Sequence, residues 1–391
     1  MNKHLVLFLF RTALSFILIS TMAQARLTVA PVFGDHMVLQ REMKLPVWGV
    51  AEPGSNVTVR FGKQSHKTKV NRDGSWKVAL DVMEASSKPQ KLTIRSGSEN
   101  LEIADVLVGE VWICSGQSNM QFKLSKCTNG EIEVASANHP LLRLNTATGW
   151  SVSSAVSVPD FSGVAYFFGR KLHAETDVPV GLIARALGGT PVEWWTPVDK
   201  LGRVPFAKEA LDEPSQEWIQ YAQSVAEWKL QTKEKGRKIA GKKPQAPGSG
   251  EEEVLASIYA PGKPGSLYAQ HFETVAGFGI RGAIWYQGER NSKAGVKPSN
   301  AYRALLANMI TSWREEWGQT DFPFLVVQLP TFSGGGEVWA IIQDAQAAAV
   351  GDVPNADYID IRDQPDDGLH PKNKKPVGER LADLALERFL K

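Results

Sequence analysis

Hydrophobic and polar positions follow two different patterns in the two parts of the chain. From residue 26 to about 105, apolar residues alternate with polar ones in short runs such as NVTVRFG, SWKVAL and KLTIR. This period of two is typical of strands with one buried face. Asp73-Gly74, between two such runs, is a hairpin turn signal. Residues 26–105 are therefore predicted to form a small all-β sandwich domain.

From residue 106 onward, the apolar runs are nearly continuous: VLVGEVWIC, VPVGLIARAL, RGAIWYQ and FPFLVVQL. Such runs are typical of strands buried on both faces of a parallel sheet. Helical periodicity lies between them, and one apolar stripe consists of Tyr302, Leu305, Leu306, Met309, Ile310 and Trp313. Residues 106–391 are therefore predicted to form an α/β domain with a parallel central sheet covered by helices.

Residues 200–262 interrupt this pattern. The segment contains EWKLQTKEKGRKIAGKKPQAPGSGEEE, which is charged and becomes rich in Gly and Pro. It is predicted to be a partly helical surface insertion that ends in a flexible loop. A solvated insertion is favoured over a lid above a functional site.

The amino terminus reads MNKHLVLFLFRTALSFILISTMAQA. A basic start, an apolar stretch and the A-x-A sequence ending at Ala25 predict a signal peptide over residues 1–25. A membrane anchor is the alternative, but Arg11 interrupts the stretch. The mature protein is expected to be exported, periplasmic or extracellular, without a later membrane span.

Composition narrows the class of partner. A net charge of +2 over 391 residues, without a basic stripe, argues against nucleic acid as a partner. The two cysteines, Cys114 and Cys127, could form a disulfide in an exported protein or remain buried thiols. They have no nearby His cluster and do not predict a zinc site. Oligomeric state is left open.

Polar clusters follow the apolar runs where strands should end. GQSNM, with Gln117, Ser118 and Asn119, follows the first run. Near the carboxyl end, DDGLHP places Asp367 three residues before His370. A carboxylate can orient a His that acts as base toward a serine hydroxyl. Each cluster alone could be an ordinary turn or cap.

Two further clusters strengthen the pattern. Gly188 and Gly189 follow GLIARAL, and glycine lets main-chain N–H groups approach an oxyanion. WYQGERN supplies Gln287, Glu289 and Asn291 after another strand. Because the carboxyl ends of parallel strands share one edge, we expect all four clusters to meet in one crevice. An α/β-hydrolase elbow, G-x-S-x-G, is disfavoured because Met120 occupies its last position.

The chain resembles the sialate O-acetylesterase family of the SGNH (GDSL-like) hydrolase superfamily. The resemblance covers nearly the whole mature chain outside the insertion. The phrases that carry it are MVLQR (37–41), VWICSGQSNMQ (111–121), YFFGRKLH (166–173), LGGTPVEWW (187–195), IWYQGERN (284–291), PFLVVQLP (323–330) and LHPKNKKPVGERLA (369–382).

The resemblance implies an SGNH-type three-layer α/β/α domain and a serine esterase mechanism that requires no metal or organic cofactor. Ser118 would be the nucleophile and His370 the base, oriented by Asp367 or by its neighbour Asp366. The implied oxyanion donors are Ser118, Gly189 in preference to Gly188, and Gln287 with Asn291 as a substitute.

The function implied is removal of acetyl groups from a carbohydrate. The substrate would be a 9-O-acetyl sialic acid or an acetylated plant or algal polysaccharide such as xylan. The alternative from another class is a non-catalytic carbohydrate-binding protein. Two departures from the family bear on the pocket: Arg290, and Gln343 where an Arg is usual. Candidate substrate contacts are Gln117, Asn119, Glu289, Asn291 and Trp194, the last of which could instead belong to the core.

Overall fold

A computed structural model of the protein describes residues 26–213, 216–235, 244, 245, 247 and 250–390. The predicted signal peptide, residues 1–25, lies outside the described residues. So does most of the Gly- and Pro-rich part of the insertion, where the flexible loop was predicted.

The amino-terminal part is built from short strands. β1, β3 and β6 form one antiparallel sheet, and β5, β4, β7 and β8 pair antiparallel in that order with β2 parallel to β8. The alternation in β4 buries Val57, Val59 and Phe61, as the period of two predicts. The strands are β1 (Thr28–Val29), β2 (Val38–Gln40), β3 (Leu45–Val50), β4 (Asn56–Phe61), β5 (Gln64–Lys69), β6 (Ser75–Leu80), β7 (Ser86–Ser96) and β8 (Glu99–Gly116).

The Asp73-Gly74 turn forms but does not close a hairpin. Asp73 Oδ1 accepts the N–H of Ser75 at 2.9 Å, and Gly74 has a φ of +84°. The flanking strands pair elsewhere, β5 with β4 and β6 with β3. The turn therefore passes the chain between two sheets. The hairpin prediction is wrong because turn chemistry fixes a reversal of the chain and not the partner of each strand.

The carboxyl-terminal part is organised by a largely parallel sheet. Its strand order is β10-β9-β11-β8-β12-β13-β14, and only β10 is antiparallel to its neighbour. β12 and β13 are buried along their whole length, as continuous apolar runs predict. The mixed α/β fold is confirmed. The further strands are β9 (His139–Thr146), β10 (Gly149–Ser153), β11 (Val180–Ala186), β12 (Gly282–Tyr286), β13 (Phe324–Val327) and β14 (Ala356–Ile359).

β8 belongs to both parts of the molecule. Its first half pairs with β7 and β2, and its second half lies between β11 and β12. Within it, Asp105 has a φ of +53°, and its carboxylate binds Arg143 at 2.6 Å and His36 at 2.7 Å. The predicted domain boundary between residues 105 and 106 thus falls inside the continuous strand β8, next to Asp105 with its positive φ.

Helices lie against both faces of the parallel sheet. In β8, Trp112 contacts Phe168 of α3. Trp285 of β12 is in register with Ser115, whose side chain points to the opposite face from Trp112, and Trp285 contacts Trp313 of α10. The main helices are α3 (Gly163–Thr176), α10 (Val296–Trp317), α11 (Gly336–Gly351) and α12 (Lys375–Phe389). The shorter helices are α1 (Ser118–Gln121), α2 (Gly130–Ala135), α4 (Val192–Trp195), α5 (Val198–Leu201) and α9 (Ser266–His271), and one-turn 3₁₀ helices cover Leu124–Lys126 and Asn291–Ala294.

The apolar stripe predicted for α10 is buried along its length. The 200–262 insertion contains helices in its described parts: α6 (Pro205–Asp212), α7 (Gln216–Lys235) and α8 (Gly250–Ile258). No helix within the described ranges is long and apolar enough to cross a bilayer.

Candidate active site

Ser118 stands where β8 ends and α1 begins. Gly116 closes the strand with a φ of +139°, which other residues rarely adopt. A Cβ here would lie 2.1 Å from the carbonyl oxygen of Tyr286 in β12, so glycine allows the close approach of the two strands. The N–H of Gln117 donates to that carbonyl at 3.0 Å, and the chain then turns to present Ser118.

His370 comes from the loop before α12 and meets Ser118. His370 Nε2 lies 2.8 Å from Ser118 Oγ, although 252 positions separate the residues. Ser118 is half-buried and His370 is exposed as a whole. Partial burial of the ring, followed by the positive charges of Lys374 and Lys293, lowers the pKa of His370. A neutral imidazole at this distance can accept the hydroxyl proton.

The carboxylates before His370 make other contacts. Asp367 Oδ2 accepts the N–H of Lys372 at 3.1 Å. Asp366 accepts the N–H groups of Ser333 at 2.8 Å and Gly368 at 3.1 Å. Neither carboxylate forms an ion pair or hydrogen bond with His370 in the described part of the chain. The predicted Asp367–His370 contact is therefore not formed here, because the loop directs both carboxylates to main-chain N–H groups.

The Gly188-Gly189 loop lies beside the nucleophile. A Cβ on Gly188 would be 3.3 Å from Ser118 Cβ. The Gly188 N–H donates to Gln121 Oε1 at 2.9 Å. The N–H groups of Ser118 and Gly189 make no hydrogen bond within the described residues. These two N–H groups are free to bind a developing oxyanion, which favours Gly189 over Gly188 as donor.

The side-chain amide of Gln287 is already engaged. Gln287 is fully buried, and its Nε2 donates to Gln117 Oε1 and Thr190 O at 3.1 Å and to Asn291 Oδ1 at 2.8 Å. Its Oε1 accepts the Tyr302 hydroxyl at 2.8 Å. The two N–H groups of one amide are thus occupied, so the structure does not present Gln287 as a free third donor.

Asn291 extends this buried set toward α4. Its Oδ1 also accepts the N–H of Val192 at 3.2 Å, and its Nδ2 donates to Glu193 Oε2 at 2.9 Å. Burial raises the pKa of the Glu193 carboxyl, which also accepts the Tyr259 hydroxyl at 3.1 Å. Gln287, Asn291 and Glu193 are called the Gln287 network below. It ties the end of β12 to the loop after β11.

A second buried set follows Ser118 directly. Asn119 Nδ2 donates to Glu289 Oε1 at 2.5 Å and to Leu369 O at 3.0 Å, and Asn119 Oδ1 accepts from Lys374 Nζ. Asn119, Glu289 and Lys374 are called the Asn119 network below. All three are at most 2% exposed. The burial of Asn119 and Glu289, like that of Gln117 and Asn291, does not support the predicted direct contacts of these residues with substrate.

The sequence did not single out Lys374, Glu193 or Tyr259. Lys374 belongs to the charged run KNKK, which reads as a solvated segment. Its position just before the first residue of α12 was the one available signal, since a helix terminus can direct a side chain inward. Glu193 lies in the apolar phrase PVEWW, where a lone carboxylate requires a buried partner.

A family model described as "SASA: Carbohydrate esterase, sialic acid-specific acetylesterase" matches residues 108–241 and 255–387, more than half of the chain. The chain belongs to this family. Human sialate O-acetylesterase is 27% identical over 404 residues, covering 90% of this chain and 69% of the human protein. The mouse sialate O-acetylesterase is 27% identical over 409 residues, covering 90% and 71%.

A solved structure of a carbohydrate acetylesterase from Xanthomonas citri is also similar. It shares 28% identity, with a TM-score of 0.73, and the match covers 93% of this chain and 75% of that one. Together with the family match, these relatives identify the protein as a carboxylic ester hydrolase.

Trp194, a candidate sugar contact of the esterase, and Arg290, a departure from the family, both contact the insertion. Half-buried Trp194 donates its Nε1–H to Ile258 O at the end of α8 (2.8 Å), and the ammonium of Lys263 lies 4.9 Å from its ring centre. Arg290 Nη2 donates to Ser257 Oγ at 2.6 Å. The predicted sugar contact of Trp194 remains a prediction. The contacts of both residues indicate that they anchor α8.

Among the described residues, the Gln343 side chain hydrogen-bonds to main-chain carbonyl groups and not to a charged side chain. Its Nε2 donates to the carbonyl oxygens of Leu329 and Pro330, at 2.8 and 3.0 Å. The Gln343 side chain therefore holds the chain after β13.

A cavity of about 520 Å³ lies next to the His370 loop. Its walls include Leu369, which precedes His370, and Lys293 from the segment after β12. Phe332 and Trp339 contribute aromatic rings whose centres are 5.0 Å apart. Aromatic faces with a few polar groups suit a sugar ring. Local sequence patterns did not indicate this wall, because its residues lie outside the strand-end clusters.

Both cysteines are buried free thiols. Burial raises the pKa of Cys114 and, to about 12, that of Cys127, so neither is a reactive thiolate. Cys114 and Cys127 therefore do not form a disulfide in this structure. Within the described residues, no group of three or more His, Cys, Asp or Glu side chains is arranged to hold a metal ion.

Proposed function

We propose that this esterase removes O-acetyl groups from a carbohydrate through an acyl-enzyme on Ser118. The observation that carries the proposal is the 2.8 Å contact between His370 Nε2 and Ser118 Oγ in a member of a carbohydrate esterase family. A pure binding protein has no need for a neutral imidazole at a serine hydroxyl beside two unoccupied N–H groups.

In the first step, Ser118 Oγ attacks the acetyl carbonyl carbon while His370 Nε2 takes the hydroxyl proton. The carbonyl electron pair moves to oxygen, and the N–H groups of Ser118 and Gly189 bind that oxyanion. The intermediate then collapses, the bond to the sugar oxygen breaks, and His370 returns the proton to that oxygen. The products are the free sugar hydroxyl and an acetyl-serine.

In the second step, His370 takes a proton from water, and the resulting hydroxide attacks the acetyl-serine. Collapse of this intermediate releases acetate, and the proton returns to Ser118 Oγ. The Gln287 network holds the donor loop in place during both steps. Gln287 acts as a third donor only if its amide releases one of its present acceptors.

We propose that Asp367 orients His370 in the substrate complex. Catalytic hydrogen bonds are often long in ligand-free structures and tighten when substrate binds. Within the described part of the chain, Asp367 accepts a single N–H at 3.1 Å, and it is exposed, so the loop can redirect it at small cost. Asp366 accepts two N–H groups and is the weaker candidate.

We also infer that residues 106–391 form an SGNH-type domain preceded by a β-sandwich over residues 26–105, and that the chain is exported to the periplasm or beyond. The signal sequence at residues 1–25 supports export. Sequencing the amino terminus of the protein recovered from outside the cytoplasm tests this, with cleavage after Ala25 expected.

The substrate test is acetate release by the purified protein from acetylated sialosides, acetylated xylan and acetylated monosaccharides. The wild type should release acetate from at least one class, and Ser118→Ala should not. Wild-type turnover by Ser118→Ala would refute the nucleophile assignment. Saccharide binding without acetate release from any substrate would favour the non-catalytic alternative.

A further inference from the structure

Asn119 connects the two halves of the reacting pair. It directly follows Ser118 and is fully buried. Its Nδ2 donates to the carbonyl oxygen of Leu369 at 3.0 Å, and Leu369 directly precedes His370. A single side chain therefore joins the helix that carries the nucleophile to the loop that carries the base.

Two buried charged groups determine which way the Asn119 amide points. The Glu289 carboxylate accepts from Nδ2 at 2.5 Å, and the Lys374 ammonium donates to Oδ1. A carboxylate can only accept and an ammonium can only donate. When Glu289 is ionised and Lys374 is protonated, Nδ2 must face Glu289, and this same nitrogen reaches Leu369.

Folding stability gives no sufficient reason for these charges. Glu289 is 2% exposed and Lys374 is 1% exposed, and Glu289 Oε2 has no hydrogen-bond partner in the described structure. Burial raises the pKa of Glu289 to about 7 and lowers that of Lys374 to about 8. Replacing buried ion pairs by apolar residues is often neutral or stabilising. Their location next to the reacting pair indicates a role in the reaction.

The ammonium of Lys374 lies in a setting that screens its charge poorly. It is 5.1 Å from the ring centre of Phe122 and 5.3 Å from that of Tyr286. Low polarity around a charge lets its field act on nearby groups with less screening than at the surface. Lys374 is therefore well placed to disfavour a second positive charge on His370.

Other charged groups surround the network. Lys293, which is exposed, lowers the pKa of His370 and that of Glu289, as Lys374 also does. Asp367 and Cys127, which also lie near Lys374, raise the pKa of its ammonium. The Tyr286 and Tyr302 hydroxyls are the remaining titratable groups affected by Glu289, and both stay protonated because burial raises their pKa.

We propose that the Asn119 network positions the reacting pair and keeps His370 unprotonated. Asn119 sets the separation of Ser118 Oγ and His370 Nε2. Glu289 fixes the orientation of the Asn119 amide, and the Lys374 charge opposes protonation of the imidazole. This assignment rests on the proposed roles of Ser118 and His370. It makes Asn119 and Glu289 positioning residues in place of substrate contacts.

The charge effect is tested with Lys374→Met and Lys374→Arg, with Lys375→Met as the matched control. Lys375 is the next residue, but it is exposed, and its ammonium lies 3.8 Å from the Glu133 carboxylate. The pH dependence of kcat/KM is measured on a soluble acetyl ester. Lys374→Met should move the acid limb to higher pH, because the imidazole loses a neighbouring cation. In Lys374→Arg and in Lys375→Met, the acid limb of the kcat/KM profile should stay at the wild-type pH.

Measurements at low and high ionic strength distinguish the effect of the Lys374 charge on His370 from that of the Lys293 charge. Lys293→Met should also move the acid limb upward at low salt, and this shift should shrink at 1 M salt, where surface charges are screened within about 3 Å. The Lys374→Met shift should persist. Titration of the His370 ring protons by NMR, assigned through His370→Gln, gives the same shifts without any turnover.

The positional effect is tested with Asn119→Ala, Glu289→Ala and Glu289→Gln. Asn119→Ala and Glu289→Ala should lower kcat by roughly 10- to 100-fold with KM nearly unchanged, as expected for sub-ångström displacement of reacting groups. Glu289→Gln, which can still accept from Asn119, should recover most of the rate.

Circular dichroism and thermal melting identify variants that fail to fold, and the NMR titration is read only on folded ones. If folded Lys374→Met leaves the His370 titration unchanged, the charge role is refuted. If folded Asn119→Ala keeps the wild-type kcat, the positional role is refuted. Wild-type activity of Ser118→Ala would instead refute the proposed function, so the two failures are distinguishable.

Discussion

The two halves of the reacting pair are held in different ways. Ser118 stands where the buried end of β8 meets α1, and the neighbouring donor loop is fixed by the Gln287 network, whose members are at most 1% exposed. His370 stands on an exposed loop, and the buried side chain of Asn119 binds that loop at Leu369, directly before His370. Changes on the nucleophile side should therefore lower folding stability, whereas changes on the base side should lower the rate with the fold retained.

The strongest test of this comparison is His370→Gln. Loss of the base should reduce kcat on an acetyl ester by on the order of 10⁴-fold or more. The melting temperature should stay near that of the wild type, since the side chain is exposed. Steady-state kinetics and calorimetry check both parts. A rate within tenfold of the wild type would exclude His370 as the base.

The two carboxylates of the base loop are expected to differ. Asp367→Asn should lower kcat by about 10²- to 10⁴-fold, because an unoriented imidazole accepts the proton poorly. Asp366→Asn is the matched control and should change kcat by less than about tenfold, since Asp366 binds the main-chain N–H groups of Ser333, after β13, and of Gly368. The reverse ranking in kinetic assays would assign the orienting role to Asp366.

On the nucleophile side, Gln287→Leu should destabilise the fold. It leaves the buried acceptors on Gln117, Thr190 and Asn291 without their shared donor. One unsatisfied buried group costs about 1–3 kcal/mol, so chemical denaturation should show at least this loss. Gln270→Leu, at an exposed position, serves as control. Unchanged stability with a large loss of kcat would instead support a direct donor role for Gln287.

The smallest effect concerns pH. The pKa of His370 is lowered from its ordinary 6.5, first by burial and then by Lys374 and Lys293. The base must be neutral, so kcat/KM should fall as pH drops and should reach half its plateau below pH 6.5. A pH–rate profile checks this sign. A midpoint above 6.5 would mean that a carboxylate dominates the environment of His370 in the working enzyme.

Much of the fold could be predicted from local patterns. The four apolar runs form β8, β11, β12 and β13, and the apolar stripe on α10 is buried. Both could be predicted because burial of one face or of both faces determines the spacing of apolar residues along the chain. The Asp73-Gly74 hairpin could not be predicted correctly. Pairing between strands depends on which distant strand packs alongside, and turn residues carry no information about that.

In the candidate site, too, local sequence indicated some features and only tertiary packing determined the others. The sequence by itself determined the residue types at the strand ends, and the family resemblance selected Ser118 and His370. Only the tertiary structure decided that these two lie 2.8 Å apart and that Lys374 binds Asn119 from 255 positions away. Only the tertiary structure showed that the Gln287 amide is already occupied. Periodicity reports whether a residue is buried, but the partner of a buried polar group is chosen by packing between elements that are remote in the chain.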